Sequence, residues 1–231
     1  MNQIEVDDRR QRQLVRSPEK ISALVIGAGS IGSVSAMLMA RTGIGRIVLY
    51  DDDTLEEWNC TGGLFDKSYL GKPKVESVQS LIRIATGREI ETRNEKFVRG
   101  VEVEDFDIIL SGVDSMSARR QIWDLLLDIR SWNTYIDARM GGHVSEVFTV
   151  KRRDRPKFEW YQETLGVQVA PMACGTEATS YVMARLSSMV GRSVRSVTNE
   201  ERHVPFRQYW DAEHDQEFVS ANPNDRMSVA A

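Results

Sequence analysis

Cysteine is scarce. The chain of 231 residues holds two, Cys60 and Cys174. Two cysteines close at most one disulfide and cannot build a four-cysteine zinc site. Long apolar runs are also missing: no stretch reaches eighteen residues, so no membrane-spanning helix is expected. The N-terminal MNQIEVDDRRQRQLV lacks the apolar centre of a signal peptide. Together these absences give the expectation of a cytoplasmic chain with reduced thiols and no membrane partner. An excess of positive charge is lacking too, since the net charge is −4. The one basic run, Lys151-Arg152-Arg153, is too short to neutralise a phosphate backbone, so no nucleic-acid partner is expected. Internal repeats and long low-complexity linkers are absent. The length suits one α/β domain with extensions better than two full domains.

What is present is an alternation of strand and helix signals. Ser22–Ile26, Arg46–Tyr50, Ile90–Asn94, Asp107–Ser111 and Thr134–Asp137 read as strands. Ser30–Arg41, Lys74–Thr86, Ser115–Ile129 and Thr176–Val190 have helical periodicity. The first ~140 residues therefore predict a doubly wound, mostly parallel sheet of Rossmann type. HVSEVFTV (143–150) alternates with period two and predicts an antiparallel extension in the C-terminal third. Residues 151–171 read as a polar loop. The expected organisation is an N-terminal arm over 1–20, a nucleotide-binding domain over 21–197, and a polar, partly disordered tail over 198–231.

The chemistry centres on LVIGAGSIGSVSAM, residues 24–37. An apolar strand meets Gly27, Gly29 and Gly32, and a helix opens at once. Unpaired N–H groups and a partial positive charge at such a helix start suit a phosphate. Asp51, about twenty residues on, ends the second strand where a carboxylate can take both ribose hydroxyls. This pattern alone fits NAD as well as ATP. The following chain, DDDTLEEWNCTGGLFDKSYLGKPKVES, leads away from NAD. It places Asn59 in a loop and Lys74 at a helix start, where a cation opposes the helix dipole but suits phosphates that gain charge during cleavage. Asp114 ends a strand on the ligand-binding side of the sheet; it also reads as an N-cap of the helix that follows.

These residues resemble the ThiF/MoeB/HesA adenylyltransferases, the group that includes the ubiquitin-activating enzymes. The resemblance rests on GAGSIGS, ARTGIGRIVLYDDD, the Asn of WN, GKPKVES, SGVDSMSARR (111–120) and RRQRQLV (9–15), and covers about residues 9–190. It implies a dimeric enzyme in which a carboxylate attacks the α-phosphate of Mg-ATP, giving an acyl-adenylate and pyrophosphate. The carboxylate implied is the C-terminal Gly-Gly of a small ubiquitin-like protein, or that of a peptide. Carried over by position, Gly27, Gly29, Gly32, Asp51 and Asp53 would bind the nucleotide, with Asp51 on the ribose. Asn59 and Lys74 would face the phosphates. Asp114 would sit near Mg²⁺ and the reacting carboxylate, and Arg12 would reach the γ-phosphate of this ATP or of a partner subunit's.

The pattern breaks at Gly62-Gly63, where the family often has an Arg-Gln pair. Lys72, Arg119 or Arg120 could replace the missing cation. An inactive binding module of the same fold therefore stays open, as does an NAD-dependent oxidoreductase, although no Tyr-x-x-x-Lys pair is evident. Cys174, in APMACGTEATSYVMARL just before a helix, resembles the family's catalytic cysteine and could take the acyl group as a thioester. A small buried hydrophobe is the other reading. Cys60 and His143 read as structural. Arg139 could meet the substrate or pair with Asp137.

Overall fold

The structure is a computed structural model that describes residues 11, 13–61, 63–101, 105–129, 131–165 and 180–225. Eight strands form one sheet: β1 (Ser22–Ile26), β2 (Arg46–Tyr50), β3 (Glu91–Arg93), β4 (Phe106–Ser111), β5 (Trp132–Gly141), β6 (Val144–Lys151), β7 (Arg207–Asp211) and β8 (Gln216–Ser220). Among the described residues five α-helices cover it: α1 (Ser30–Thr42), α2 (Lys74–Thr86), α3 (Met116–Asp128), α4 (Arg155–Thr164) and α5 (Ser180–Thr198). The strand order is β3-β2-β1-β4-β5-β6-β7-β8. Pairing is parallel from β3 to β5 and antiparallel from β5 to β8.

Strands β1, β2 and β4 are apolar on both faces because helices cover both. Ala23 and Val25 of β1 pack with α1, α2 and α5. Leu24 and Ile26 point the other way, into a layer with Ile122, Trp123 and Leu126 of α3 and Tyr161 of α4. Trp123 is the hub of that second layer, touching the rings of Trp132, Tyr135, Phe158 and Tyr161.

The connection from β1 runs outward to β2 and β3, and the chain then returns to β4 on the other side of β1. This reversal opens a crevice between the C-terminal ends of β1 and β4, the place where doubly wound sheets bind ligands. Here α1 lies very close to the loop after β1. A Cβ on Gly32 would fall 1.7 Å from the Gly27 carbonyl oxygen, so only glycine fits.

Four segments differ from the sequence reading. Strand β5 is ten residues long rather than four, because its far half pairs only with β6. Residues 155–164, expected within a polar loop, form α4. Pro156 sits in the first turn, where it is tolerated, and Arg155 bridges Glu159 at 2.7 Å one turn on. Phe158, Tyr161 and Leu165 recur at helical spacing and pack on the sheet, a stripe hidden among charges. The region expected as a polar tail holds β7 and β8. Their polar residues are engaged: buried Gln208 donates to the Met189 carbonyl and to Ser193 Oγ, each at 3.0 Å. Helix α5 runs to Thr198, further than expected; residues 176–179, its expected start, lie outside the described residues.

The Gly32 contact has a measurable consequence. Gly32→Ala drives a methyl into backbone and should cost about 3 kcal/mol or more. Gly29→Ala, with no heavy atom within 4 Å of the added carbon, should cost about 1 kcal/mol or less, the cap preference for glycine. Urea unfolding midpoints of the two variants check this; equal losses would show that the tight approach is not the constraint.

Candidate functional site

The crevice is built from the ends of β1, β2 and β4. The Gly27 N–H donates to the Tyr50 carbonyl (2.8 Å), and the Gly112 N–H donates to the Ile26 carbonyl (2.9 Å). These bonds lock the three strand ends together. Gly27 has φ +92°, the left-handed turn that swings the chain away from β1 and into α1. Helix α1 starts with Gly29 as its cap, and among the described residues no side chain holds its first N–H groups. Those donors are free for an anion. A cavity of about 440 Å³ lies in front of them, a size suited to a small-molecule ligand.

Asp51 closes the loop from the β2 side. Its Oδ2 accepts the Ala28 N–H (2.6 Å) and its Oδ1 accepts the Asp53 N–H (2.8 Å). Burial pushes its carboxyl above the usual range, while these two N–H groups and Lys74 pull the other way. Each oxygen keeps acceptor capacity toward the cavity. Lys74, in the first turn of α2, is 8% exposed and reaches Asp53 Oδ2 at 2.7 Å. Its backbone N–H donates to the Asp53 carbonyl (2.9 Å), fixing the start of α2 beside the glycine loop.

Asp114 stands on the opposite wall, exposed at the rim. It does not cap α3. Ser115 does, accepting the Ala118 N–H at 3.2 Å. Among the described residues no hydrogen bond or ion pair engages the Asp114 carboxylate. A lone carboxylate facing a phosphate-sized space suits Mg²⁺, which takes one or two carboxylates and completes its shell with phosphate oxygens and water.

Of the residues singled out from sequence, Gly27, Gly29, Asp51, Asp53, Lys74 and Asp114 line this one cavity. Gly32 acts one turn away, as packing. Asn59 is half-buried outside the lining and accepts the Glu56 N–H (2.9 Å) within its own turn. Arg12, Gly62 and Cys174 lie outside the described residues. The three substitute cations are engaged elsewhere. Arg119 is fully buried on Asp137, Arg120 donates to the Leu165 carbonyl, and Lys72 lies over the Tyr69 ring. Arg139 pairs with Asp137 at 2.6 Å.

The loop after β3 was missed from sequence. It brings Lys96, Phe97 and Val98 to the cavity, with Phe97 edge-on to Tyr50 at 5.5 Å. The strand order held the signal: β3 neighbours β2, so its C-terminal loop shares the same rim. Phe97, Val98, Val113 and Ile122 give the cavity its apolar lining.

Comparison with known proteins adds an independent line. The model of the ThiF family matches residues 2–225. The chain belongs to the ThiF family. Ubiquitin-like modifier-activating enzyme 5 of Dictyostelium discoideum is 31% identical over 129 residues, covering 48% of this chain and 34% of that protein. Adenylyltransferase and sulfurtransferase MOCS3 of Anopheles gambiae is 32% identical over 117 residues, covering 48% of this chain and 26% of its own. The matches thus span about a third or less of these relatives. The crystal structure of E. coli MccB with ATP superimposes with a TM-score of 0.69 at 16% identity, over 94% of this chain and 68% of that one. That likeness supports the Rossmann-like fold.

Asp51 is the residue whose removal tests the architecture of this ThiF-family site without any ligand. Asp51→Ala strands the Ala28 N–H, whose residue is fully buried. The expected loss is about 1–3 kcal/mol in urea unfolding at neutral pH. An unchanged midpoint would mean that Asp51 does not hold the glycine loop.

Proposed function

We propose that this chain uses ATP to adenylate a carboxylate. The observation that carries the proposal is convergence. The open helix start, the Asp51 carboxylate, the Lys74 ammonium and the Asp114 carboxylate face one crevice at the switch point of the sheet. The names of the relatives, an activating enzyme and an adenylyltransferase, agree with it.

In this reading the base lies against the apolar wall of Phe97, Val98 and Ile122. Asp51 accepts both ribose hydroxyls. The phosphates lie over the empty space beside Gly29, against the first N–H groups of α1, with Lys74 alongside. An oxygen of the acyl substrate's carboxylate attacks the α-phosphorus. The bond from that phosphorus to the bridging oxygen breaks, and pyrophosphate leaves with the electron pair. No proton needs to move, so the work of the site is positioning and stabilising charge on phosphate oxygens. Mg²⁺, when bound by Asp114 and phosphate oxygens, would supply charge neutralisation there. Arg12 would add a cation at the γ-phosphate, in this subunit or across a homodimer, and Asn59 would help at the phosphate chain.

The acyl substrate we favour is a small ubiquitin-like protein ending in Gly-Gly, as the name of the Dictyostelium relative suggests; a peptide carboxylate fits the same chemistry. In a second step the Cys174 thiolate would attack the acyl carbon and displace AMP, leaving a thioester. The cytoplasm is the compartment we assign, and no helix among the described residues is long and apolar enough to cross a membrane.

Thermal unfolding with Mg-ATP and, separately, with NAD tests the nucleotide. Mg-ATP at about a hundred times its Kd should add about 2.7 kcal/mol. NAD should add nothing. Lys74→Ala should weaken the Mg-ATP effect, read as the shift from that variant's own unliganded midpoint. Cys174→Ala should keep the full effect. Stabilisation by NAD alone would overturn the adenylation reading.

A further inference from the structure

Arg119 is fully buried, and its guanidinium reaches two separate segments, β5 and the loop after β4. From the second turn of α3 its Nη1 donates to Asp137 Oδ1 of β5. Its Nη2 donates to the Ala138 carbonyl (3.1 Å) and to the Val113 carbonyl. Asp137, wholly buried, is held in turn by Arg139 Nε (2.6 Å) and by the Tyr161 hydroxyl (2.7 Å) of α4. The anchor lies on β5, an interior strand between β4 and β6, and is held by groups from α3, α4 and β5 itself.

Val113 is the residue before Asp114. Along this loop the Gly112 N–H is bound to the Ile26 carbonyl, the Val113 carbonyl to Arg119, and the Ser115 hydroxyl to the Ala118 N–H. Asp114 sits in the middle of three pinned neighbours with its own carboxylate unengaged among the described residues. Strand ends and a helix cap recur in any fold of this class. A buried guanidinium spent on the carbonyl next to an exposed acid is a more specific device.

We propose that Arg119 is a positioning residue: braced on Asp137, it holds the Val113 carbonyl and so fixes Asp114 toward the cavity. This rests on the reading of Asp114 as the Mg²⁺ residue of an ATP site. A planar fork can serve Asp137, Ala138 and Val113 at once, whereas a lysine ammonium at the end of a single stem cannot. Arg119→Lys therefore keeps the charge beside Asp137 and loosens the loop.

The test is calorimetric titration of the full chain with ATP, in Mg²⁺ and in EDTA, on variants whose circular dichroism matches the wild type. Mg²⁺ should strengthen ATP binding in the wild type, and Asp114→Ala should lose that gain. Arg119→Lys should lose about tenfold or more of it, the usual effect of removing a group that orients a metal ligand. Its EDTA affinity should stay unchanged, because the glycine loop, Asp51 and Lys74 are untouched. Tyr161→Phe removes one hydrogen bond from Asp137 but leaves both arginines on it, so Arg119 stays braced on Val113 and the gain should be kept. Hydrogen exchange of the peptide spanning Gly112–Ala118 should rise in Arg119→Lys and not in Tyr161→Phe. If Arg119→Lys does not fold, Asp137→Asn, which keeps the shape and an acceptor oxygen, should lose part of the magnesium gain. A wild type with no magnesium gain overturns the reading of the site and this proposal with it. A gain in the wild type that Arg119→Lys, or in its place Asp137→Asn, retains in full overturns this proposal alone.

Discussion

Backbone lies against backbone where α1 meets the loop after β1. With the Gly27 carbonyl oxygen at 1.7 Å from where a Cβ on Gly32 would stand, the helix axis is brought in as far as a chain allows. That approach aims the first N–H groups of α1 along the crevice rather than out to solvent. The rest of the site is arranged around it. Asp51 clamps the loop from β2, Gly112 ties β4 to the end of β1, and α2 starts where Asp53 holds the Lys74 backbone. A helix even one methyl further out would leave the same residues in sequence and a different site in space.

The other side of the crevice depends on charge rather than close packing. Burial pushes the Asp137 carboxyl up, but the Arg119 and Arg139 guanidiniums and the Tyr161 hydroxyl outweigh it and hold it below the usual carboxylate range. Arg139 passes the network on to Glu146 (3.9 Å), and Arg207 meets Glu146 at 2.7 Å. An apolar cluster of equal volume is often at least as stable as a buried ion pair, while losing one partner of such a pair costs about 3–5 kcal/mol. Stability alone therefore does not account for the network. It fixes directions: three arginines and two acids lock the angles between α3, α4 and the long strands β5 and β6.

Much of the nucleotide half was legible in the chain. β1 and β2 fall where their apolar runs stand, α2 spans Lys74–Thr86 as read, and six of the sequence-derived residues share one cavity. These signals are local, a glycine turn or an acid at a strand end, and need few distant partners. What escaped depends on distant partners. The apolar face of α4 is three residues wide and sits among Arg, Asp, Lys and Glu. The hairpin of β7 and β8 is polar because Gln208 finds its acceptors on α5 and Arg207 its acid on β6. Arg119 looked like a free cation in a helix; only the return of β5 reveals that its charge is spent inside. Asp114, readable as a cap, lost that role to the serine beside it.

Asn199, just past the end of α5, donates to the Leu14 carbonyl (2.8 Å) and accepts the Arg16 N–H (2.8 Å), while Gln11 donates to the Arg41 carbonyl at the end of α1 (3.0 Å). One amide thus grips the arm from 185 residues away. During synthesis Leu14 and Arg16 are made well before the amide that holds them. Chains grow at about 5–20 residues per second, so Leu14 and Arg16 wait on the order of ten seconds or more for Asn199. Only a chain grown past α5 carries this arm in place.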